Sequence, residues 1–479
     1  MENYKNKRVL IFGLGLLGGG VATANWFLKQ GAKVTVTDLK TKEELAASLK
    51  KLKGNVELSL GGHKLADIKA ADIVVLNPGV PIKEPLIQKA LRLAKLAQGK
   101  PTVVNEATIF YNEFPGKIIG VTGTRGKTTT ATWITHLLGK QALLAGNSPE
   151  HTFLDVLGAA RPVSRSKAGI YGVTEMPSFQ TELFDPSIHP ELRRPDIAVV
   201  TNIYQDHFNR YPSYRAYVKT KANLFTHQTK DQYLILNYDN SWTPFLLTLP
   251  RKSKTWFFSL KELPSMLDGV FSKPGEIFFQ EGGRQARVLT TKGFVGKWGQ
   301  HNVENLMASV LAAHAAGVSW ITIQSRLAKL PSIEFRQQVV YQKNNLTIIN
   351  DTTATSPEGT IAAVKRFGSP STILITGGTD RKLEFGAWGK LVANYIVPDN
   401  IVMLEGSATR KMIKALGEFS DRVTIVPTLK ECLEIALRKA VEFPKATILF
   451  SPGSKSFEKF KNEYDRGQKF NELVKKLLK

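Results

Sequence analysis

The residues best suited to chemistry form a glycine-rich segment directly after the apolar run Lys117–Val121. Its sequence is Gly123-Thr124-Arg125-Gly126-Lys127-Thr128-Thr129. Backbone amides in such a loop can surround phosphate oxygens, while Lys127 adds a cation and the Thr128 hydroxyl can ligate magnesium. Counted from Gly123, the spacing is two residues shorter than the usual phosphate-loop pattern. The position between a predicted strand and a predicted helix favours nucleotide binding over a chance occurrence of Gly-Lys-Thr.

A second glycine-rich turn lies near the N-terminus. Gly13-Leu14-Gly15-Leu16-Leu17-Gly18 follows the run Arg8–Phe12, and Asp38 ends the next predicted strand. This arrangement is typical of a dinucleotide-binding fold, in which the glycines let the backbone approach phosphates at a helix N-terminus. A turn needed only for close packing is the alternative. The motif does not distinguish NAD, FAD and other nucleotides, so an NAD-dependent oxidoreductase remains a second interpretation.

Both turns require a strand before them and a helix after them, and the chain supplies this alternation three times. Short apolar runs alternate with helical periods from Arg8, from Lys117 and from Leu346, which predicts an α/β fold with parallel sheets. The length of 479 residues and the breaks at Phe114-Pro115 and Pro331 predict three domains, 1–114, 115–331 and 332–479. The predicted strands are Arg8–Phe12, Lys33–Thr37, Ile73–Leu76, Lys117–Val121, Ile197–Thr201, Tyr233–Leu236, Thr347–Asn350, Thr372–Thr376, Asn400–Leu404, Val423–Pro427 and Thr447–Ser451.

The net charge of +24 raises the question of a nucleic-acid binder, because clustered lysine and arginine match a phosphate backbone. The basic residues are instead spread along the chain. The densest groups, Lys50–Lys53 and Lys475–Lys479, lie in helical or terminal segments that are typical of solvated faces. Anionic small substrates in a basic proteome also explain the sign of the charge. We expect no nucleic-acid partner, and a non-catalytic nucleic-acid binder remains a further alternative.

Cysteine content and hydropathy indicate the compartment. The single cysteine, Cys432, cannot form an internal disulfide, which fits a reducing environment. The segment Met1–Arg8 is polar and lacks the apolar region of a signal peptide. No apolar run approaches the roughly 20 residues of a membrane-spanning helix. We expect a cytoplasmic protein without membrane insertion, and a monomer.

The loop at Gly123 resembles the Gly-Thr-x-Gly-Lys-[Ser/Thr]-[Ser/Thr] motif of the Mur ligase and folylpolyglutamate synthase superfamily. Further motifs of that superfamily follow in order, namely Glu175-Met176-Pro177-Ser178-Phe179-Gln180, the Asn-x-x-x-Asp-His segment that contains His207, and Gly299-Gln300-His301-Asn302-Val303-Glu304-Asn305. The resemblance implies an ATP-dependent ligase in which Lys127 and His207 are catalytic. It also implies that Thr128, Glu175 and His207 hold Mg²⁺, and that the loop binds ATP together with Asn302 and Asn305.

The resemblance continues to the C-terminus. Arg336 matches an ATP-contacting arginine, Asp351 an aspartate that contacts the ATP ribose, and Ser451-Pro452-Gly453-Ser454-Lys455-Ser456-Phe457 a C-terminal signature. Lys221 aligns with a lysine that carbon dioxide converts to a carbamate, and the family's spacing to Phe225 favours it over Lys219. The implied fold has a Rossmann-like N-terminal domain for the UDP substrate, a central P-loop-type ATPase domain, and a Rossmann-like C-terminal domain for the amino acid.

Within the Mur ligases, the glycine turn of the first domain resembles the alanine-adding and D-glutamate-adding types. The His-His-Pro segment of the alanine-adding type is absent, and Asn77-Pro78-Gly79-Val80 resembles a turn of the D-glutamate-adding type. The implied substrates are UDP-N-acetylmuramoyl-L-alanine, D-glutamate and ATP, which react through an acyl phosphate. The implied UDP-substrate contacts are Gly15, Leu16, Leu17, Gly18, Asp38, Asn77 and Asn147.

Departures from the family pattern cluster where the acceptor amino acid would bind. The family usually has lysine at the positions of Thr353 and Arg381, and phenylalanine at that of Glu463. Thr355 and Ser456 match positions that contact the acceptor's carboxylates, and Arg381 can replace a lysine there. We expect Glu463 to turn outward or to pair with a neighbour such as Lys459 or Arg466. A related ligase with another acceptor, such as L-glutamate, remains an alternative.

Overall fold

The computed structural model describes residues 3–16, 18–96, 100–146, 151–163, 169–204, 210–300, 302–380 and 383–478. The chain divides into two compact units, Met1–Pro331 and Ser332–Lys479. Two sheets lie in the first unit and one in the second, and helices separate most of the strands, which confirms the expected α/β class. Within the described ranges, no helix combines the length and the hydropathy needed to cross a membrane.

The N-terminal sheet is parallel, and side chains from helices pack on each of its faces. Its strands are β1 (Arg8–Phe12), β2 (Lys33–Asp38), β3 (Val56–Leu60), β4 (Ile73–Leu76) and β5 (Thr102–Val104), in the order β3-β2-β1-β4-β5. Alternate residues of β1 enter two cores, with Val9 and Ile11 on one side and Leu10 and Phe12 on the other. Burial on both faces makes such strands read as continuous apolar runs. The helices are α1 (Gly19–Lys29), α2 (Ala46–Leu49), α3 (Leu65–Ala70), α4 (Pro85–Leu96) and α5 (Glu106–Glu113).

A nine-stranded sheet fills the rest of the first unit. Its strands are β6 (Lys117–Thr122), β7 (Ala142–Ala145), β8 (Tyr171–Glu175), β9 (Ile197–Val200), β10 (Tyr233–Asn237), β11 (Lys254–Ser259), β12 (Gly269–Lys273), β13 (Glu276–Glu281) and β14 (Arg284–Thr290), in the order β14-β13-β12-β11-β10-β9-β6-β8-β7. Strand β6 lies between β9 and β8 and is parallel to both. The segments that follow these three strands therefore meet at one edge of the sheet.

The helices of this part begin with α6, which follows the glycine-rich loop. They are α6 (Lys127–Leu138), α7 (Phe153–Val163), α8 (Ser178–Thr181), α9 (Tyr214–Ala222), α10 (Thr243–Leu247), α11 (Phe294–Trp298), α12 (Asn302–Ala315) and α13 (Trp320–Leu327). Helix α12 is buried along most of its length, from Val303 to Ala313. It contributes Leu306, Met307, Val310 and Leu311 to the interior. This burial fixes α12 against the sheet and against α6, which it contacts extensively.

The C-terminal unit contains a six-stranded sheet in the order β15-β16-β20-β17-β18-β19. Only the edge strand β15 is antiparallel to its neighbour among the pairs in this sheet. Ile348 and Ile349, adjacent in β16, enter separate cores on the two faces. The strands are β15 (Gln338–Lys343), β16 (Leu346–Asn350), β17 (Thr372–Thr376), β18 (Ile401–Leu404), β19 (Thr424–Val426) and β20 (Ala446–Phe450), and the helices are α14 (Pro357–Phe367), α15 (Gly386–Tyr395), α16 (Thr409–Leu416), α17 (Leu429–Ala440) and α18 (Glu463–Leu477).

Candidate nucleotide and substrate site

The segment between β6 and α6 folds as a tight loop whose glycines have no room for a side chain. Gly123 and Gly126 have φ angles of 143° and 78°, in the region that glycine adopts readily. A Cβ at Gly123 would lie 2.0 Å from the Thr201 hydroxyl oxygen, and one at Gly126 would lie 2.1 Å from Asn305 Oδ1. Both glycines of the motif are therefore required by backbone conformation and by close neighbours.

Asn202, which follows β9, braces one side of this loop. Its Oδ1 accepts a hydrogen bond from the Arg125 amide at 2.9 Å, and its Nδ2 donates to the Arg125 carbonyl at 3.2 Å. Its own carbonyl accepts from the Thr124 amide at 2.8 Å, and the Thr201 hydroxyl donates to the Arg125 carbonyl at 2.6 Å. No role was predicted for Asn202, although its place directly after a buried parallel strand was a signal for one.

Helix α12 forms the opposite side of the loop. Asn305 accepts a hydrogen bond from the Thr130 hydroxyl at 3.4 Å and donates to Asn302 Oδ1 at 2.8 Å. Asn302 in turn donates to the Trp298 carbonyl at 2.7 Å. The structure thus brings Asn305 against Gly126 and places Asn302 beside it, as expected for residues of one nucleotide site. Thr129 is buried on α6 in the same region.

Two side chains that follow the loop offer a cation and oxygen ligands. Lys127 Nζ donates to the Thr124 carbonyl at 3.0 Å, so the ammonium folds back over the loop. The Thr128 hydroxyl donates to Glu175 Oε2 at 2.8 Å, which joins the loop to the end of β8. A hydroxyl and a carboxylate are the hard oxygen ligands that Mg²⁺ prefers. His207, the third expected ligand, lies outside the described residues, among which no cluster of three His, Cys, Asp or Glu side chains could hold a metal.

The side chain of Lys221, on α9, contacts the backbone of the glycine-rich loop. Its side chain is 2% exposed, and Nζ donates to the Gly123 carbonyl at 2.7 Å. The same nitrogen lies 4.7 Å from the centre of the Tyr217 ring. Lys219, two residues earlier, is exposed. Of the two candidate lysines, Lys221 is the one whose side chain contacts the glycine-rich loop.

In the N-terminal sheet, Asp38 holds the first glycine turn. Its Oδ2 accepts from the amides of Leu14 and Gly15 at 2.9 and 3.0 Å, and its Oδ1 accepts from the Lys40 amide at 2.9 Å. The carboxylate therefore shapes the turn that a nucleotide would approach. Gly18, with a φ of 95°, caps α1, and the Leu16 side chain is exposed beside it. Leu17 and Asn147, two further expected contacts of this ligand, lie outside the described residues.

The turn at Asn77 is anchored by a buried ion pair. Arg210 donates to both oxygens of Glu182, at 2.6 and 2.7 Å, and also to the carbonyls of Pro78 and Val80 at 3.1 and 3.2 Å. The two side chains are 14% and 4% exposed. Asn77 Oδ1 accepts from the Gly79 amide at 3.0 Å, which closes the turn. No role was predicted for Arg210, although it lies only three residues after His207.

We expect Arg210→Met to lower the free energy of unfolding by about 3 kcal/mol, because it leaves the Glu182 carboxylate buried without its partner. Urea unfolding followed by circular dichroism measures this difference. Arg92→Met, at an exposed position of α4, is the matched control and should change the value by less than about 0.5 kcal/mol. Equal effects of the two substitutions on the free energy of unfolding would contradict a stabilising role of the ion pair between Arg210 and Glu182.

In the C-terminal unit, Arg336 lies in a turn with unusual backbone geometry. Its neighbours Phe335 and Gln337 have φ angles of 61° and 47°, which are rare for residues other than glycine. The Thr353 hydroxyl donates to the Phe335 carbonyl at 2.8 Å, and Asp351 Oδ1 accepts from the Gln337 amide at 3.1 Å. These hydrogen bonds hold the turn, and Thr353 therefore serves the backbone at the position where the family usually has a lysine.

Asp351 itself is buried. Its Oδ2 accepts from the Ser451 hydroxyl at 2.8 Å, and burial raises the pKa of the carboxyl to about 7. Ser451 follows β20 and Asp351 follows β16, so adjacent parallel strands bring the pair together. The structure thus joins Asp351 to the turn that carries Arg336, which fits their expected common ligand.

Two of the expected acceptor residues, Thr355 and Ser456, occupy the same end of this sheet. The Ser456 hydroxyl is buried and has no hydrogen-bond partner within the described residues. Thr355 is half-buried, with its amide bonded to the Thr353 carbonyl at 2.9 Å. The expected pairing of Glu463 is present, but its partner is Lys455, at 3.9 Å, and neither Lys459 nor Arg466. Arg381 falls outside the described residues.

Comparison with known proteins agrees with this arrangement. The model of the "Mur ligase middle domain" matches residues 121–313, and that of the "Mur ligase MurD-like, N-terminal domain" matches residues 7–96. A protein of Roseiflexus sp. (strain RS-1) named UDP-N-acetylmuramoylalanine--D-glutamate ligase is 33% identical over 484 residues, covering 98% of each chain.

Two solved structures share the fold. A UDP-N-acetylmuramoylalanyl-D-glutamyl-2,6-diaminopimelate--D-alanyl-D-alanyl ligase from Acinetobacter baumannii has a TM-score of 0.58 at 17% identity, and the match covers 93% of this chain and 90% of that one. A MurF ligase from Thermotoga maritima in complex with ADP has a TM-score of 0.53 at 17% identity, with 100% of both chains covered. At such identities the similarity concerns the fold alone.

Proposed function

The chain belongs to the Mur ligase family, and on this premise we propose that it joins UDP-N-acetylmuramoyl-L-alanine to D-glutamate with cleavage of ATP. The relative from Roseiflexus carries the name of this activity and matches nearly the whole chain. The observation that carries the proposal is the glycine-rich loop, which is held between Asn202 and Asn305 and has Lys127, Thr128 and Glu175 at its end.

The loop suits the triphosphate of ATP. Its amides and Lys127 face phosphate oxygens in this proposal, while Asn302 and Asn305 complete the nucleotide contacts of this unit. In the C-terminal unit, Arg336 and Asp351 are the proposed nucleotide-binding residues. Thr128 and Glu175, with His207, would hold Mg²⁺, and their hydroxyl and carboxylate oxygens fit that ion. When bound, Mg²⁺ neutralises negative charge on the phosphate oxygens. Lys127 supplies a further positive charge from the protein itself.

The reaction needs activation because a carboxylate is a poor electrophile. The γ-phosphoryl group passes to the carboxylate of the L-alanyl group, which gives an acyl phosphate and ADP. The amine of D-glutamate then attacks the acyl carbon, the C–O bond to phosphate breaks, and the amine nitrogen loses a proton. The protein's part is mainly to position three anionic reactants and to stabilise developing charge.

The remaining roles are proposed from the turns described above. The turn at Gly15 to Gly18, shaped by Asp38, and the turn at Asn77 bind the UDP substrate, while Thr355, Arg381 and Ser456 bind the acceptor. An NAD-dependent oxidoreductase would leave the phosphate-binding loop and the Thr128 and Glu175 pair without a role. We propose that the enzyme acts as a cytoplasmic monomer, with small molecules as its partners.

The test is phosphate release with ATP, Mg²⁺ and UDP-N-acetylmuramoyl-L-alanine, measured against a panel of amino acids. We expect D-glutamate to give a kcat/KM at least about 100-fold above that of L-glutamate, because only one isomer places both the amine and two carboxylates correctly. Reactions without the UDP substrate are the control and should release no phosphate. Preference for L-glutamate, or for a neutral or basic amino acid, would overturn the proposed acceptor.

A further inference from the structure

The C-terminal signature of this chain contains a lysine next to Ser456, whose buried hydroxyl has no hydrogen-bond partner within the described residues. Lys455 precedes Ser456, and its backbone pairs with that of Thr379 through hydrogen bonds of 2.9 and 3.2 Å. This pairing fixes the start of the Lys455 side chain at the same end of the sheet as Thr353. Thr353, at the position where the family usually has a lysine, is neutral and donates its hydroxyl to the Phe335 carbonyl. Lys455 therefore supplies a positive charge at this end of the sheet that residue 353 does not supply.

Arg466 adds a second positive charge at this place. Its side chain is fully buried, and it donates only to neutral oxygens, namely Thr352 Oγ1 and the carbonyls of Thr352, Ser454 and Lys455. No carboxylate of the described residues lies within ion-pair distance of its guanidinium. The positive charge of Arg466 near Ser456 is therefore not neutralised by a direct ion pair, and it favours an incoming anion.

Three glutamate carboxylates lie near Lys455, and each has a different partner. Glu458 accepts from the amide and the hydroxyl of Ser407, and Glu405 pairs with Lys459 at 3.8 Å. Glu463 lies closest to Lys455, at 3.9 Å, with both side chains about one quarter exposed. A pair at this distance and exposure is weak, so another carboxylate can displace Glu463.

We propose that Lys455 binds the side-chain carboxylate of the acceptor amino acid, and that Glu463 occupies this position until the acceptor arrives. The inference rests on the proposed function and deepens it, since it assigns the recognition of a second carboxylate to Lys455. The Ser456 hydroxyl, which lacks a partner in the described structure, donates to the same carboxylate. Arg466 is a positioning residue that holds the Ser454 and Lys455 carbonyls.

The proposal predicts opposite effects of two substitutions. Lys455→Gln should raise the KM for D-glutamate by about 10-fold to 100-fold, since a hydrogen bond to a charged group is lost. Glu463→Gln should lower the same KM by about threefold or more, since a competing carboxylate is removed. The KM values of ATP and of the UDP substrate should remain within about twofold in both variants.

Lys459→Gln is the matched control, because Lys459 lines one small pocket together with Lys455 and Ser456 and has an exposure similar to that of Lys455, but is paired with Glu405. It should leave the KM for D-glutamate nearly unchanged. In the double variant Lys455→Gln and Glu463→Gln, removing Glu463 should no longer help. A merely structural tie between the two residues would instead make both single substitutions raise the KM, and that result would overturn the proposal.

Discrimination against D-glutamine separates recognition from general damage. In the original protein, kcat/KM for D-glutamate should exceed that for D-glutamine, and Lys455→Gln should reduce this ratio at least about tenfold. An unchanged ratio would contradict the role of Lys455. Thermal unfolding of each variant shows whether it is folded.

Failure of the proposed function is distinguishable from failure of this inference. If D-glutamate supports no phosphate release, the same variants are measured with the acceptor that the panel identifies. A dicarboxylic acceptor that loses affinity in Lys455→Gln supports the role of Lys455, whereas an acceptor with one carboxylate overturns it. Calorimetric titration with D-glutamate in the presence of ATP provides the binding measurement without turnover. Where D-glutamate supports phosphate release, equal affinity of the original protein and Lys455→Gln for it also overturns the inference.

Discussion

Lys127→Ala is expected to lower kcat for ligation by at least about 10³-fold, because the lysine would neutralise charge on the transferred phosphoryl group. Its Nζ lies at the Thr124 carbonyl, 3.0 Å away, and exchanges that oxygen for phosphate when ATP binds in the proposed site. The affinity for the UDP substrate should stay within about twofold, since that ligand is assigned to the turns of the N-terminal sheet. Phosphate release gives kcat, and calorimetry gives the affinity.

Lys140→Ala is a suitable control for this variant. Lys140 lies just beyond the other end of α6, is exposed, and should give unchanged activity when replaced. Circular dichroism of Lys127→Ala should show an unchanged fold, because the lost side chain is only partly buried. If Lys127→Ala retains more than a few per cent of the activity, the assignment of this loop to the catalytic site is wrong.

Lys221→Ala is the second substitution with a large expected effect, a loss of at least about 10²-fold in kcat. The side chain is buried and supports the loop through the Gly123 carbonyl. If carbon dioxide has converted the amine to a carbamate, its nitrogen keeps one N–H for that carbonyl and gains a carboxylate. Formate or acetate should then partly restore the activity of the alanine variant, which phosphate release with increasing carboxylate measures.

Lys219→Ala tests the assignment on the same helix. Lys219 is exposed and should be replaceable without loss of activity. Full activity of Lys221→Ala, or rescue by carboxylates of Lys219→Ala instead, would show that the wrong lysine was chosen. Loss of Lys221 activity without rescue would assign its ammonium, rather than a carbamate, to the loop.

Local sequence patterns predicted the parts of the fold that repeat. Strands such as β1, β4 and β17 were predicted with their observed bounds, because buried parallel strands give uninterrupted apolar runs. The antiparallel extension β12 to β14 was missed. Most of β14 is exposed and polar, so its sequence lacks the alternation by which strands are recognised.

The residues of the candidate site also fall into two groups, those that a local sequence pattern reveals and those that it does not. The glycines and Lys127 can be identified from sequence because they belong to one short, contiguous motif between a strand and a helix. Asn202 and Arg210 act through loops 77 to 132 residues away, and no local pattern reveals such contacts. The pairing of Glu463 with Lys455 in particular was not predicted for a related reason, since the Lys455 side chain reaches it through the pairing of the signature loop with Thr379.

The contact between the phosphate-binding loop and α12 determines when the site is completed during synthesis of the chain. Asn305 follows Thr130 by 175 residues, so the loop leaves the ribosome long before the residue that packs on Gly126. Chains fold from the N-terminus as they emerge. The loop therefore lacks its packing contact with Asn305 until α12 has been synthesised. A prematurely ended chain that stops before α12 would keep every letter of the Gly-Lys-Thr motif and still lack a formed nucleotide site.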